Sequence, residues 1–204
     1  MPKILKYILI GLITVFGLFM IGAIVLNIMI ASAFGAFENN YSVSELKEEY
    51  KTNEKAIDDL ILYFNKIKPK DKFVKIEFKD GKTIGRLLIQ DKISNSVLFQ
   101  HWDFSKNILI TPDLKNKLGW DLEKVEILKE KLDKADCISI EDGEPIKIGF
   151  KRAGLGMYSF NIFQNKESDR TLYEDKCNFI LVNRKLMLEY GGGAVGPQCF
   201  QNLK

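Results

Sequence analysis

Apolar residues follow three regimes along this chain. From Tyr7 to Phe37, thirty-one consecutive residues carry no charge. From Val43 to Ile67 apolar positions recur every three or four residues, and beyond Lys72 they alternate in short runs broken by Gly, Asp, Asn and Pro. The first regime exceeds the roughly 20 apolar residues that a helix needs to cross a hydrocarbon core about 30 Å thick. Its polar members, Thr14, Asn27 and Ser32, are mild enough to bond locally or to a neighbouring helix. The pattern predicts a transmembrane helix over about 7–34, with the lipid bilayer as its first partner. A cleaved signal peptide would share the basic start (Lys3, Lys6) and the small-x-small run Ala31-Ser32-Ala33. Its apolar core is, however, typically only about 7–15 residues long, so an uncleaved anchor is the better reading.

In the second regime, Ser42-Val43-Ser44-Glu45 has the form of a capping box. The 3–4 spacing of Val43, Leu46, Tyr50, Ile57, Leu60, Ile61, Phe64 and Ile67 then predicts an amphipathic helix over about 43–67, ending before Pro69. Residues 73–79 alternate, Asp80-Gly81 is a hairpin signal, and Thr83–Ile89 returns as a second strand. Val97–Phe104 reads as a third. Thr111-Pro112 predicts a capped helix start, and Leu118, Leu122, Val125, Leu128 and Leu132 continue helical structure to about Lys134. Gly119 should break it and Asp121 recap it. Later strands are expected at Cys137–Glu141, Ile146–Lys151, Met157–Phe163, Cys177–Val182 and Leu186–Tyr190. Their short connections predict an antiparallel meander. The fold class is therefore α+β: an N-terminal transmembrane helix, then one domain of amphipathic helices packed on a largely antiparallel sheet. The expected division is an anchor, 1–37, and a domain, 38–204.

Charge gives this plan a direction. Lys3 and Lys6 precede the apolar run, and Glu38 is the first charge after it. Positive residues beside one end keep that end in the cytoplasm, which predicts an extracytoplasmic domain at the periplasm or cell surface. All 27 acidic residues and all but two of the 30 basic ones lie beyond residue 37. They are interspersed and nearly balanced, and only Arg86, Arg152, Arg170 and Arg184 are arginine. A nucleic-acid binder would gather its cations on one face, so that class is set aside.

Candidate chemistry is sparse. His101, the only histidine, and Asp103 lie two apart in a strand, where strict alternation would put both on one face. They are the catalytic candidates for a hydrolase, although no nucleophile motif accompanies them. The Cys137, Cys177 and Cys199 spacing lacks a chelating pair and, with His101, makes a poor zinc set. No cofactor or metal is read from the chain. In an oxidising compartment Cys177–Cys199 is the favoured disulfide, with the two pairings through Cys137 left open. The run Gly191-Gly192-Gly193 has no phosphate-loop lysine after it. It suits a tail lying close over the sheet, or a contact surface together with Lys151 and Arg152. Those five residues are the binding candidates. The leading functional expectation is a non-catalytic binding domain tethered to the membrane, with an envelope protein as partner; the alternative is a tethered hydrolase at His101 and Asp103.

Overall fold

The computed structural model describes residues 2–33, 40–173, 176–192 and 196–200. It forms two compact units, Met1–Asn40 with Ala153–Leu155, and Tyr41–Arg152 with Gly156–Lys204. The first is built on helix α1, Lys3–Ala33. Its stretch Ile10–Ser32 has a mean hydropathy of 2.5 and is long and apolar enough to cross a membrane. Within it Thr14 Oγ1 donates to the Ile10 carbonyl (2.9 Å) and Asn27 Nδ2 to the Ala23 carbonyl (2.8 Å). Both polar groups are thus satisfied inside the helix, as a hydrocarbon surrounding demands.

The second unit is an α+β domain. Helix α2, Val43–Ile67, begins at the capping box: Glu45 N donates to Ser42 Oγ (3.2 Å) and Ser42 N to Glu45 Oε2 (2.7 Å). Eight strands follow: β1 Lys72–Phe78, β2 Thr83–Asp91, β3 Val97–Ser105, β4 Ser139–Glu141, β5 Ile146–Ala153, β6 Gly156–Ile162, β7 Phe179–Leu181 and β8 Leu186–Gly191. Helices α3, Pro112–Leu118, and α4, Leu122–Lys134, lie between β3 and β4. Gly119, at φ 66°, ends α3, and Asp121 accepts from Lys124 N to start α4. The strands form one antiparallel sheet in the order β3-β2-β1-β4-β5-β6-β8-β7. Val74, Ile76, Ile140, Ile148, Phe160 and Leu188 are buried along one face. Helix α2 buries Leu46, Ile57, Leu60 and Phe64, and its Tyr50 meets Phe160 edge-on at 5.6 Å.

The opposite face carries a row of charge. Lys75 pairs with Glu141, its register partner on β4, and Glu141 faces Lys147 on β5. Lys147 in turn pairs with Glu189 at 2.6 Å, and Asn161 Nδ2 donates to the same carboxylate at 2.9 Å. Alternating signs across neighbouring strands are favourable where like charges would repel.

Four expectations are corrected. The last strands are not a meander, because β8 pairs with β6 and β7 lies outside it. The segment from Phe163 to Asn178 is long enough to carry the chain past the vacant position. Strand β7 covers only Phe179–Leu181, and β4 starts at Ser139, so Cys137 and Cys177 both precede their strands. Thr111 gives α3 no side-chain cap; its hydroxyl donates to the Ile108 carbonyl (2.8 Å), closing a 3-10 turn over Lys106–Ile110. A bulge at Gly85 also breaks the alternation of β2, since Glu77 faces Arg86 but Phe78 faces Ile84.

Candidate functional site

Strand β3 is a margin of the sheet, and it separates the two catalytic candidates. Asp103 takes φ 47°, a left-handed backbone that interrupts the pleat. As a result Phe104, not Asp103, shares a face with His101, and their rings meet edge-on at 5.4 Å. His101 is exposed, with Nδ1 2.9 Å from the Trp102 carbonyl. Asp103 pairs instead with Lys79 at 3.0 Å. The geometry does not bring His101 and Asp103 together.

What it does bring to Asp103 is Arg152. Both line a cavity of about 370 Å³ with Glu77, Lys79 and Trp102. Its deepest polar group is Glu77, only 6% exposed. Arg152 holds that carboxylate in a fork, Nε and Nη2 each donating at 2.7 Å, the bidentate geometry that arginine favours. Beside it Arg86 lies over the Trp102 ring at 5.3 Å. The charges here are largely spent on one another, so the cavity offers little net attraction to an ion.

Lys151, Gly191 and Gly192 are not among its lining residues. Lys151 pairs with Asp136 and stands 5.2 Å from the Phe150 ring centre. Gly191 closes β8 at φ 122°, where a Cβ would stand 2.6 Å from Gln198 N and 2.7 Å from the Gly196 carbonyl oxygen. Only glycine admits so close an approach. The tail thus folds back, with Gln198 N donating to the Tyr190 carbonyl and Phe200 packing on Tyr158 and Tyr190. Gly192 follows at φ 94°; Gly193 lies outside the described residues. Cys177 and Cys199 are joined by a disulfide, Cα atoms 4.7 Å apart. Cys137 is free and buried, and that burial pushes its thiol pKa up to about 12. Such a thiol is unreactive at neutral pH.

A second, larger concavity escaped the reading of the sequence. A groove of about 660 Å³ runs between the C-terminal half of α2 and the end of β6, its lining including Ile61, Leu62, Ile162 and Phe163, with Lys166 and Arg184 at the rim. On this rim Lys185 meets Asp58 at 3.0 Å and Glu54 at 3.3 Å. Partial burial works against its ammonium, but the Asp58 hydrogen bond leads the opposing influences and raises its pKa above the ordinary lysine value. Of its α2 wall only Ile61 belongs to the apolar stripe read from the sequence, and the opposite wall comes from residues about 100 positions away. No family model, curated protein or solved structure matches the chain.

Proposed function

We propose that this chain is a single-pass membrane protein whose extracytoplasmic domain, 38–204, binds an envelope protein partner and performs no catalysis. The observation that carries the reading is the combination of a helix of spanning length with a disulfide in the domain that follows. Disulfides persist in oxidising compartments outside the cytoplasm, and the lysines before the helix favour the same orientation. The groove along α2 supplies a surface for a partner. The rival reading, a hydrolase at His101 and Asp103, has less support, since each residue is engaged elsewhere.

The test is labelling of intact cells carrying the full chain with a membrane-impermeant maleimide, read by peptide mapping. The expected result is that Cys177 and Cys199 label without lysis, and only after reduction. Labelling that requires lysis, with both thiols free, would overturn the extracytoplasmic assignment. For the non-catalytic half of the reading, the purified full chain is assayed against ester, peptide and glycoside substrates. Turnover abolished by His101→Ala or Asp103→Asn would establish the hydrolase instead.

A further inference from the structure

The cations beside α2 are gathered by one half-buried tie. Arg170 donates from Nη2 to the Arg184 carbonyl (2.7 Å) and from Nη1 to the carbonyls of Ser168 (2.8 Å) and Lys166 (3.2 Å). Its guanidinium lies 4.6 Å from the centre of the Phe163 ring in the groove floor. The backbone at Lys166 and that at Arg184 are thereby drawn to one guanidinium. Both residues are exposed, and neither side chain pairs with a carboxylate among the described residues. Arg170 Nε is itself buried, with no acceptor among the described residues. Assembling like charges costs free energy, and a bound anion would offset that cost.

The rest of the groove is apolar and amide in character. Ile61, Ile162 and Phe163 are buried in its floor, while Leu62 is 68% exposed beside them. Asn65, Gln164 and Asn165 complete the lining, with Asn65 Nδ2 donating to Gln164 Oε1 at 3.0 Å. The wall opposite α2 is already fixed. The Glu144 carboxylate accepts from Gln164 N (3.1 Å), Asn165 N (3.3 Å) and Ser168 Oγ (2.5 Å). A preformed wall spares a ligand the entropy of ordering it.

We infer that this groove docks a polypeptide segment of the partner, with one large apolar side chain over Leu62 and Phe163 and carboxylates against Lys166 and Arg184. The inference rests on reading the domain as a binding module. Polypeptide is favoured over an acyl chain because each lining amide offers a donor and an acceptor that match a peptide backbone. A hydrocarbon would leave those groups unpaired, at a cost.

The experiment is selection of a random dodecapeptide display library on the full chain held in phosphatidylcholine nanodiscs. Enriched peptides are expected to carry a large apolar residue and a net negative charge. Their affinity should fall at least ~10-fold in Lys166→Glu/Arg184→Glu, the loss of two rim ion pairs, and by a similar factor in Leu62→Asp. All three positions are exposed, so the variants keep their fold. The charge-reversed protein should in turn enrich basic peptides. No enrichment, enrichment without acidic bias, or peptides indifferent to both variants would overturn the inference. Indifferent peptides would still leave a binding domain, with its site elsewhere. Saturable binding of dodecanoate in the groove with no peptide enriched would overturn it in favour of an acyl ligand.

Discussion

The Glu77–Arg152 pair should be unequally costly to break from its two ends. The Glu77 side chain is 8% exposed and that of Arg152 is 45% exposed. Arg152→Met therefore strands a carboxylate that water can scarcely reach, whereas Glu77→Gln leaves a guanidinium that can turn into solvent. Removing one partner of a fully buried pair costs about 3–5 kcal/mol. Solvent already screens the Arg152 end, which reduces the expected cost of Arg152→Met to about 2–3 kcal/mol. Arg86, opposite Glu77 in register, is no ready substitute, because its guanidinium is held over Trp102. Glu77→Gln keeps an oxygen to accept from Arg152 and should cost about 1 kcal/mol. The two variants should thus differ by roughly 1.5 kcal/mol, about tenfold in the folding equilibrium. Urea titration of the full chain in detergent micelles reads this through the emission of Trp120, which is fully buried. Equal costs, or a larger one for Glu77→Gln, would refute the argument that burial of the carboxylate governs the pair.

Other outcomes follow from single contacts. Burial alone would raise the pKa of Asp142, but hydrogen bonds from Lys68 and Lys92 outweigh it and hold the carboxyl below its ordinary value. Its contribution is therefore complete above the unfolded carboxylate pKa of about 4 and is lost as pH falls through the lower folded value. Asp142→Asn should lower stability at neutral pH and flatten the acid limb of a stability-versus-pH curve; an unchanged limb would count against this. Trp120 Nε1 donates to the Ile67 carbonyl at 2.9 Å, so Trp120→Phe should cost about 2–3 kcal/mol through an unpaired carbonyl and a small void, read by urea titration followed by far-ultraviolet circular dichroism. Cys177 and Cys199 are 22 residues apart, and replacing both with serine should cost about 3 kcal/mol in the chain-entropy model. If that replacement leaves the urea midpoint unmoved, the tail is held by Phe200 packing instead.

Features written within a few residues could be read directly from the chain. Ser42 and Glu45 cap α2, Asp80 accepts from Lys82 N and Thr83 N in the β1–β2 turn, and Gly119 with Asp121 divides α3 from α4. Each depends on a local hydrogen bond or a local φ that the residue type announces. The position of β8 between β6 and β7 depends on which strands win long-range pairing, and no local signal records that. Asp103 was misplaced because period-two reasoning assumes an uninterrupted pleat, and a left-handed aspartate gives little warning. At the groove, helix α2 and its Ile61 were legible, but Arg170 does its tying through carbonyls of Lys166, Ser168 and Arg184. Backbone acceptors carry no mark of residue type, so nothing in the sequence announced the rim.

The two margins of the sheet differ in how they are guarded. Strand β7 has three residues, and the Cys177–Cys199 bond sits just ahead of it. Strand β3 has nine, with Val97 and Trp102 half exposed and Asp103 its only charged residue. Its register with β2 slips at Leu98 and is interrupted again at Asp103, so residues 99–102 are its regular stretch. Breaks of this kind spoil an edge as a template for a further strand. One margin is therefore blunted by brevity and a covalent staple, the other by kinks in the strand itself.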